Sequence, residues 1–330
     1  MRSDAHLRQL TDALRQSLEL CASHPEVEAV HDTRTGTRRI EAALETHLEA
    51  RLDAARGDAG ASTRDGEDEL TKAVRAWERL LKKIRGTAAP VRDLDVQRKL
   101  LKKLAAEIDM KTPKEGRGGL FAEQVKRLDD ALLAEREGLA TPLRKDAGRW
   151  AAKLDGHFAA FAAAMARKPA SRRRKRNAAA TALDAFARLA SQMRQLDARN
   201  LHDFRKGAKK ARYMAEAGGE DEHAEAVGKA LKKLQDEIGD WHDWLMLADE
   251  AHRVLSEDGT GLTAEIERRR DVHYEMAMKV EGKMRGRLLG EGLAIQGARR
   301  MGTTLRGAAS AGRGVRSAGG RVSRVAPKKA

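Results

Sequence analysis

Apolar residues recur three and four positions apart along nearly the whole chain, and this spacing limits the folds open to it. The first segment places Leu7, Leu10, Leu14 and Leu18 on one face, as an amphipathic helix does. Ala, Leu, Glu, Lys and Arg dominate the 330 residues, with only 6 prolines, and this composition favours helices. We find no convincing alternation of apolar and polar residues, which is the pattern that a strand would show. The sequence therefore predicts an all-α protein.

One short basic signature occurs twice in the chain. Residues 31–39 and 202–210 both read H-D-x-R-x-G-x-[RK]-[RK], at an offset of 171. A second pair of segments, 81–84 and 231–234, reads L-K-K-[IL] at an offset of 150. Internal repeats of this length indicate two helical subdomains about a pseudo-twofold axis, with basic stripes lining one shared cleft.

Composition divides the chain into four parts. Residues 168–177 contain a proline and five consecutive basic residues, which predicts a linker. It separates a first helical half, residues 1–167, from a second, residues 178–290. Residues 291–330 are basic and rich in Gly and Ala, without Asp or Glu beyond Gly297. They are predicted to be a disordered or only nascently helical tail.

Proline and glycine set the predicted helix ends within each half. A residue before proline tends to leave the helix, and proline itself favours a first helical turn. Loops are expected at 57–66 and 112–119. The helices expected in the first half are 3–22, 25–56, 67–85, one beginning at Pro90, 120–139 and 142–167. Those expected in the second half are 178–196, 199–217, 220–238, 240–255 and 263–289.

Charge and cysteine content restrict the partner and the compartment. The chain has 65 Lys and Arg against 50 Asp and Glu, a net charge of +15, which predicts a polyanionic partner. Its one cysteine, Cys21, suits a reducing compartment. The N-terminus lacks the pattern of a signal peptide, and no window is apolar enough for a membrane span. We therefore expect a soluble, cytoplasmic protein with no membrane contact.

The signature places cations in a stripe. Helical spacing puts His31, Arg34, Arg38 and Arg39 on one side of a helix, and the second copy repeats the stripe without an intervening acid. Such a face is often only solvated surface, but its duplication favours anion binding. Because one turn rises about 5.4 Å, the stripe forms a ladder that suits consecutive phosphates of an extended chain.

The two signature histidines and three of the nearby aspartates have two possible roles each. His31 and His202 either pack against a neighbour or hydrogen-bond to phosphate. Five aspartates are expected to orient an arginine on an adjacent helix. For Asp93, Asp95 and Asp243, N-terminal capping is an equal alternative. The five aspartates are Asp32, Asp203, Asp93, Asp95 and Asp243.

Taken together, the motifs resemble the CHAD domain, the conserved histidine α-helical domain. The basic repeats, R-D-L-D-V at 92–96 and I-G-D-W-H-D at 238–243 carry the resemblance, which covers about residues 3–289. It implies an all-α, two-lobed helical bundle with an internal pseudo-twofold repeat and a central basic channel. It also implies binding of inorganic polyphosphate in that channel and association with polyphosphate granules.

The resemblance and the basic stripes together indicate a set of polyphosphate-binding residues. The set is His31, Arg34, Arg38, Arg39, Arg79, Lys82, Lys83, His202, Arg205, Lys206, Lys209, Lys210, Arg212, Lys229, Lys232 and Lys233. Members of the family are often fused to a triphosphate-tunnel domain with an E-x-E-x-K signature, which this chain lacks. We therefore expect binding without catalysis, and no cofactor or metal.

Two other classes of function remain as alternatives. A nucleic-acid-binding or nucleoid-associated protein would use the same charge, although aromatics form only 3% of the chain and no helix-turn-helix or zinc module is recognisable. A phosphohydrolase is suggested only by ten histidines, without H-E-x-x-H or CxxC motifs. The sequence does not indicate an oligomeric state.

Overall fold

Eight α-helices form the part of the chain that the computed structural model describes, which is residues 2–57, 64–111, 118–166, 178–216, 221–255 and 260–314. They are α1 (Arg2–Ser23), α2 (Val27–Gly57), α3 (Arg64–Lys111), α4 (Gly118–Ala166), α5 (Ala178–Gln192), α6 (Leu201–Glu216), α7 (Glu222–Leu255) and α8 (Thr260–Gly314). No strand occurs in these ranges, which confirms the all-α prediction. Within them, no helix combines the length and the apolar character needed to cross a lipid bilayer.

Three predicted breaks between helices lie inside continuous helices, so those predictions are wrong. α3 continues through Pro90, α4 through Pro142 and α7 through Gly239. Buried residues of one core lie on both sides of each position, as Ala88 and Val91 do around Pro90. Packing of both flanks keeps the helix continuous, although a proline removes one backbone hydrogen bond.

The last helix is longer than predicted. α8 reaches Gly314 and so takes in residues 291–314 of the predicted tail. Its sequence contains no proline in this part, so no residue there removes a backbone donor from the helix. The remaining tail, 315–330, and the predicted linker, 168–177, lie outside the described residues.

Each half has its own hydrophobic core. The first, formed by α1 to α4, buries Leu14 and Trp77, and the second, formed by α5 to α8, buries Phe204 and Trp241. In each half the first helix packs on the second and fourth, the second on the third, and the third on the fourth. This shared order agrees with the repeat in the sequence, while the pseudo-twofold axis itself stays a prediction.

The glycine in each signature allows the preceding helix to pack closely. A Cβ at Gly36 would lie 3.3 Å from Cδ1 of Leu14, and a Cβ at Gly207 only 2.5 Å from Cδ1 of Leu189. Positions two residues before and after each glycine point about 160° away from it. The glycine side of α2 therefore packs on α1, and the glycine side of α6 packs on α5. The cations of each signature lie on the opposite side of its helix.

A third core joins the two halves. Leu101 of α3 and Leu132 of α4 pack in it with Trp244 and Leu247 of α7 and Ile266 of α8. Further contacts between the halves join α2 to α6 and α4 to α8. The halves are therefore held together mainly by apolar packing, whose contribution grows with the apolar area buried.

Replacing Leu247 with alanine should lower the free energy of unfolding by about 2–5 kcal/mol. The reason is that the side chain is fully buried in the third core, so its loss leaves a cavity. Chemical denaturation followed by circular dichroism measures the change. Leu20→Ala is the control, because Leu20 is 61% exposed and should change stability by less than about 0.5 kcal/mol. Equal losses in both variants would contradict the role given to this core.

Candidate functional site

The two copies of the signature meet where α2 contacts α6. Arg34 and Arg38 of α2 lie near Arg205 and Lys209 of α6, so the charges of all three arginines act on the lysine. We call these four residues the cation cluster. The structure thus brings together two predicted site residues from each half.

Lys209 responds most strongly to this environment. Burial, followed by the charges of the surrounding arginines, lowers the pKa of Lys209 to about 6, because both effects disfavour a charged amine. Among the described residues it forms no ion pair with a carboxylate. Its amine is therefore mostly neutral at neutral pH in the ligand-free protein.

Contacts with α7 fix the position of Arg205. The Nε of Arg205 donates a hydrogen bond to the backbone oxygen of Gln235 at 3.1 Å. A Cβ at Gly239 would collide with the guanidinium, so a larger residue there would displace Arg205 from this position. Burial lowers the pKa of Arg205, and the nearby charge of Asp243 opposes that shift.

Two of the aspartates pair with an arginine on another helix, as predicted. Asp93 of α3 forms an ion pair with Arg34 at 3.1 Å, and Asp95 of α3 accepts a hydrogen bond from Arg136 of α4 at 2.5 Å. Both lie well inside α3, and Asp243 lies inside α7. The alternative of N-terminal capping is therefore wrong for all three. The pair with Asp93 orients Arg34 of the cation cluster.

A cavity of about 550 Å³ lies between α2, α3 and α6, and we call it the basic cavity. Its volume is in the usual range for ligand sites. Arg75 and Tyr213 also line it, although neither was in the predicted set. The predicted residues that line it are Arg38, Arg79, Lys82, Lys206, Lys209 and Lys210.

The other predicted residues are not part of this lining. Arg34, Arg205 and Arg212 lie close by, since their charges act on Lys209. The residues not brought to the lining are His31, Arg39, Lys83, His202, Lys229, Lys232 and Lys233. Two of the lysines on α7 pair with acids one turn away on the same helix, which is typical of a solvated surface. A role for these seven residues in binding stays a prediction.

Acids accompany the cations, so the expectation of an uncompensated stripe on α6 is wrong. Lys206 pairs with Asp203 at 3.0 Å, and Lys210 pairs with Glu45 of α2 at 2.5 Å. The stripe pattern missed Asp203 because it lies beside the stripe, and Glu45 because it comes from the other half. Three carboxylates line the basic cavity, those of Glu41, Glu45 and Glu78. In the described part of the chain, no group of three or more His, Cys, Asp or Glu could hold a metal ion.

The two signature histidines favour the neutral state. His202 stacks on His242 of α7, with ring centroids 3.9 Å apart. Burial, then His242 and nearby cations, lowers the pKa of His202 to about 3. Burial and then Arg92 lower the pKa of His31 as well. His202 therefore packs against a neighbour, and contact of either histidine with phosphate stays a prediction.

The sequence matches the CHAD domain family over residues 68–252, which extend from α3 into α7. The fold is similar to the crystal structure of the CHAD domain from the plant Ricinus communis, with a TM-score of 0.54 and 16% sequence identity. That match covers 85% of this chain and 89% of the other. No curated protein matches the sequence. The structural match supports the helical fold beyond the range of the family match.

Replacing Lys209 with methionine should stabilise the ligand-free protein at neutral pH. The pKa of Lys209 is about 6 in the folded chain, against an ordinary value of 10.5. At pH values between these two, the unfolded state binds one more proton than the folded state, so the free energy of unfolding rises with pH. Near neutral pH, folding of the wild type removes a proton from Lys209, and this costs free energy. The variant does not have this cost, and we expect its Tm to be higher by about 2–4 °C near pH 7 and by less near pH 10. Thermal melts at both pH values measure this difference.

Lys206→Met is the control for this measurement, because Lys206 is exposed and pairs with Asp203. We expect no comparable gain for it at either pH. A gain at Lys209→Met that is independent of pH would show that loss of charge is not the cause.

Proposed function

The chain belongs to the CHAD domain family, and we propose from this premise that it binds inorganic polyphosphate in the basic cavity without catalysing a reaction. The family is associated with polyphosphate binding. The single observation that most supports the proposal for this chain is the cation cluster, in which the two signatures place their cations side by side. Lys209 and Arg38 of this cluster also line the basic cavity.

Repulsion in the cation cluster favours an anionic ligand. Like charges in a partly buried site oppose folding, and Lys209 lowers the repulsion only by giving up its proton. An anion in the basic cavity would offset the positive charge and favour protonation of the lysine. Charge-assisted hydrogen bonds from arginine and lysine to phosphate oxygens would then form.

The arrangement of the cations favours a chain over a single phosphate. Cations reach the basic cavity from three helices and from both halves. On α3, Arg75, Arg79 and Lys82 follow one another about 4.5–6 Å apart along the helix. A linear polyanion can contact several such groups in succession, whereas one phosphate contacts only those around a single point.

Nucleic acid is the competing ligand, because the same charges attract any phosphate chain. Recognition of single strands usually relies on aromatic side chains on which bases stack. The lining of the basic cavity includes one aromatic residue, Tyr213. A bare phosphate polymer needs no such platform, which favours polyphosphate.

The proposed ligand also suggests a location. A long polyphosphate chain offers many binding segments, so it would concentrate the protein wherever the polymer accumulates. We therefore propose that the protein lies in the cytoplasm, at polyphosphate granules. Imaging of a fluorescent fusion in cells with and without polyphosphate synthesis tests this placement.

Neutralising two cations of the basic cavity should weaken polyphosphate binding. For the double variant Arg38→Gln and Lys209→Gln we expect affinity to fall by about ten- to a hundredfold, because two charge-assisted hydrogen bonds are lost. Isothermal titration calorimetry with long-chain polyphosphate at moderate salt measures the loss.

The control variant, Arg144→Gln and Lys145→Gln, removes the same charge from exposed positions on α4. It should bind within about threefold of the wild type, since long-range effects of charge are screened by salt. Equal affinity of the site variant and the wild type would contradict the site. Release of orthophosphate during the titration would contradict binding without catalysis.

Duplex DNA should not displace bound polyphosphate at equal phosphate concentration. A duplex is too wide to enter a cavity of about 550 Å³, so it would contact only the outer cations. Fluorescence anisotropy of labelled polyphosphate, with unlabelled duplex as competitor, measures displacement. Full displacement at moderate salt would favour the nucleic-acid alternative.

A further inference from the structure

Three glutamates interrupt the charge of the basic cavity. Glu41 and Glu45 continue the face of α2 that carries Arg38, and Glu78 lies between Arg75 and Arg79 on α3. The lining contains seven cations and three carboxylates, a net charge of +4 when Lys209 is protonated. A site that only attracts anions has no need of these carboxylates.

The three carboxylates differ in how they are held. Arg85 donates to both oxygens of Glu41, at 2.5 and 3.2 Å, so this pair joins α2 to α3. Glu45 engages Lys210 across the boundary between the halves at 2.5 Å. Glu78 has no ion pair among the described residues, and burial together with the other two glutamates raises the pKa of Glu78. Glu78 is therefore not explained by an ion pair.

The repeat does not reproduce this acidic group in the second half. At the offsets of 171 and 150, Glu41 corresponds to Arg212 and Glu78 corresponds to Gly228. Only Glu45 has an acidic counterpart. The carboxylates are therefore a feature of one half, whereas the cations come from both.

We propose that Glu41, Glu45 and Glu78 form an acidic boundary that limits how many consecutive phosphate units of polyphosphate the basic cavity holds. This inference rests on the proposed function. A phosphate unit beside α2 beyond Arg38 meets Glu41 and Glu45, and like charges repel strongly in a partly dehydrated site. A polyphosphate chain that binds Lys210 must also separate this lysine from Glu45, which leaves the carboxylate of Glu45 without its partner.

The boundary makes the cavity selective for a short stretch of the polymer. Phosphate units near the cation cluster meet arginine and lysine, and units farther along α2 and α3 meet mixed charge. Neutral side chains in place of the carboxylates would let more units bind. The effect should therefore be seen with long chains and not with a short oligomer that already fits beside the cation cluster.

The test compares the double variant Glu45→Gln and Glu78→Gln with a control of equal charge change, Glu123→Gln and Asp130→Asn, at exposed positions on α4. Glu41 is left intact because its pair with Arg85 supports the fold. Calorimetry with long-chain polyphosphate gives the number of phosphate units bound per protein. We expect this number to rise in the site variant, and the slope of log K against log salt to steepen by about 1–2.

Tripolyphosphate provides the second arm of the test. On this proposal three units bind at the cation cluster and stop short of the carboxylates, so the affinity for tripolyphosphate should change no more in the site variant than in the control. An equal gain for both ligands would mean simple charge attraction and would overturn the boundary. An unchanged number of phosphate units per protein would also overturn it, while leaving the proposed function intact.

Two further outcomes are distinguishable. If the wild type binds no polyphosphate, the proposed function and the boundary fail together. If the double variant does not fold, Glu78→Gln alone carries the test, because it breaks no ion pair of the described residues and relieves repulsion with Glu41 and Glu45. A smaller rise in phosphate units is expected for this variant, and no rise would overturn the proposal.

Discussion

Repulsion among the four residues of the cation cluster is the constraint that the rest of the structure must satisfy. These cations approach one another across the boundary between the halves, where they oppose the association of α2 with α6. The third core holds the halves together with residues such as Trp244 and Leu247. Lys209 lowers the repulsion by losing its proton, and the pair of Glu45 with Lys210 adds attraction across the same boundary.

The parts of the sequence repeat act together in three dimensions. In each half, the helix that follows the signature holds the signature arginine: Asp93 of α3 pairs with Arg34, and Gln235 of α7 accepts from Arg205. Gly239 leaves the space that the second of these arginines needs. The signature and the segment that contains Arg92-Asp93 in one half and His242-Asp243 in the other therefore belong to one structural unit, which explains why both recur.

The general features of the fold and site could be predicted from the sequence, because periodicity and repetition are properties of the chain itself. They include the helices and the approach of the two signatures. The continuity of α3 through Pro90 could not be predicted, since it depends on packing against other helices. The same reason applies to Glu45, whose partner Lys210 is 165 positions away in the chain. Nor does sequence spacing distinguish Lys82, which lines the basic cavity, from Lys232, which lies outside its lining.

The great length of α3 has a mechanical consequence. The helix passes from the basic cavity at Lys82 to the third core at Leu101, a distance of about 28 Å along its axis at 1.5 Å per residue. Over this length, a rotation of α3 by about 2° at the third core displaces the wall of the basic cavity by about 1 Å, given the same helical rise. The position of the cavity wall is therefore coupled to apolar side chains that do not line the cavity, and the shape of a highly charged site depends on uncharged packing several helical turns away.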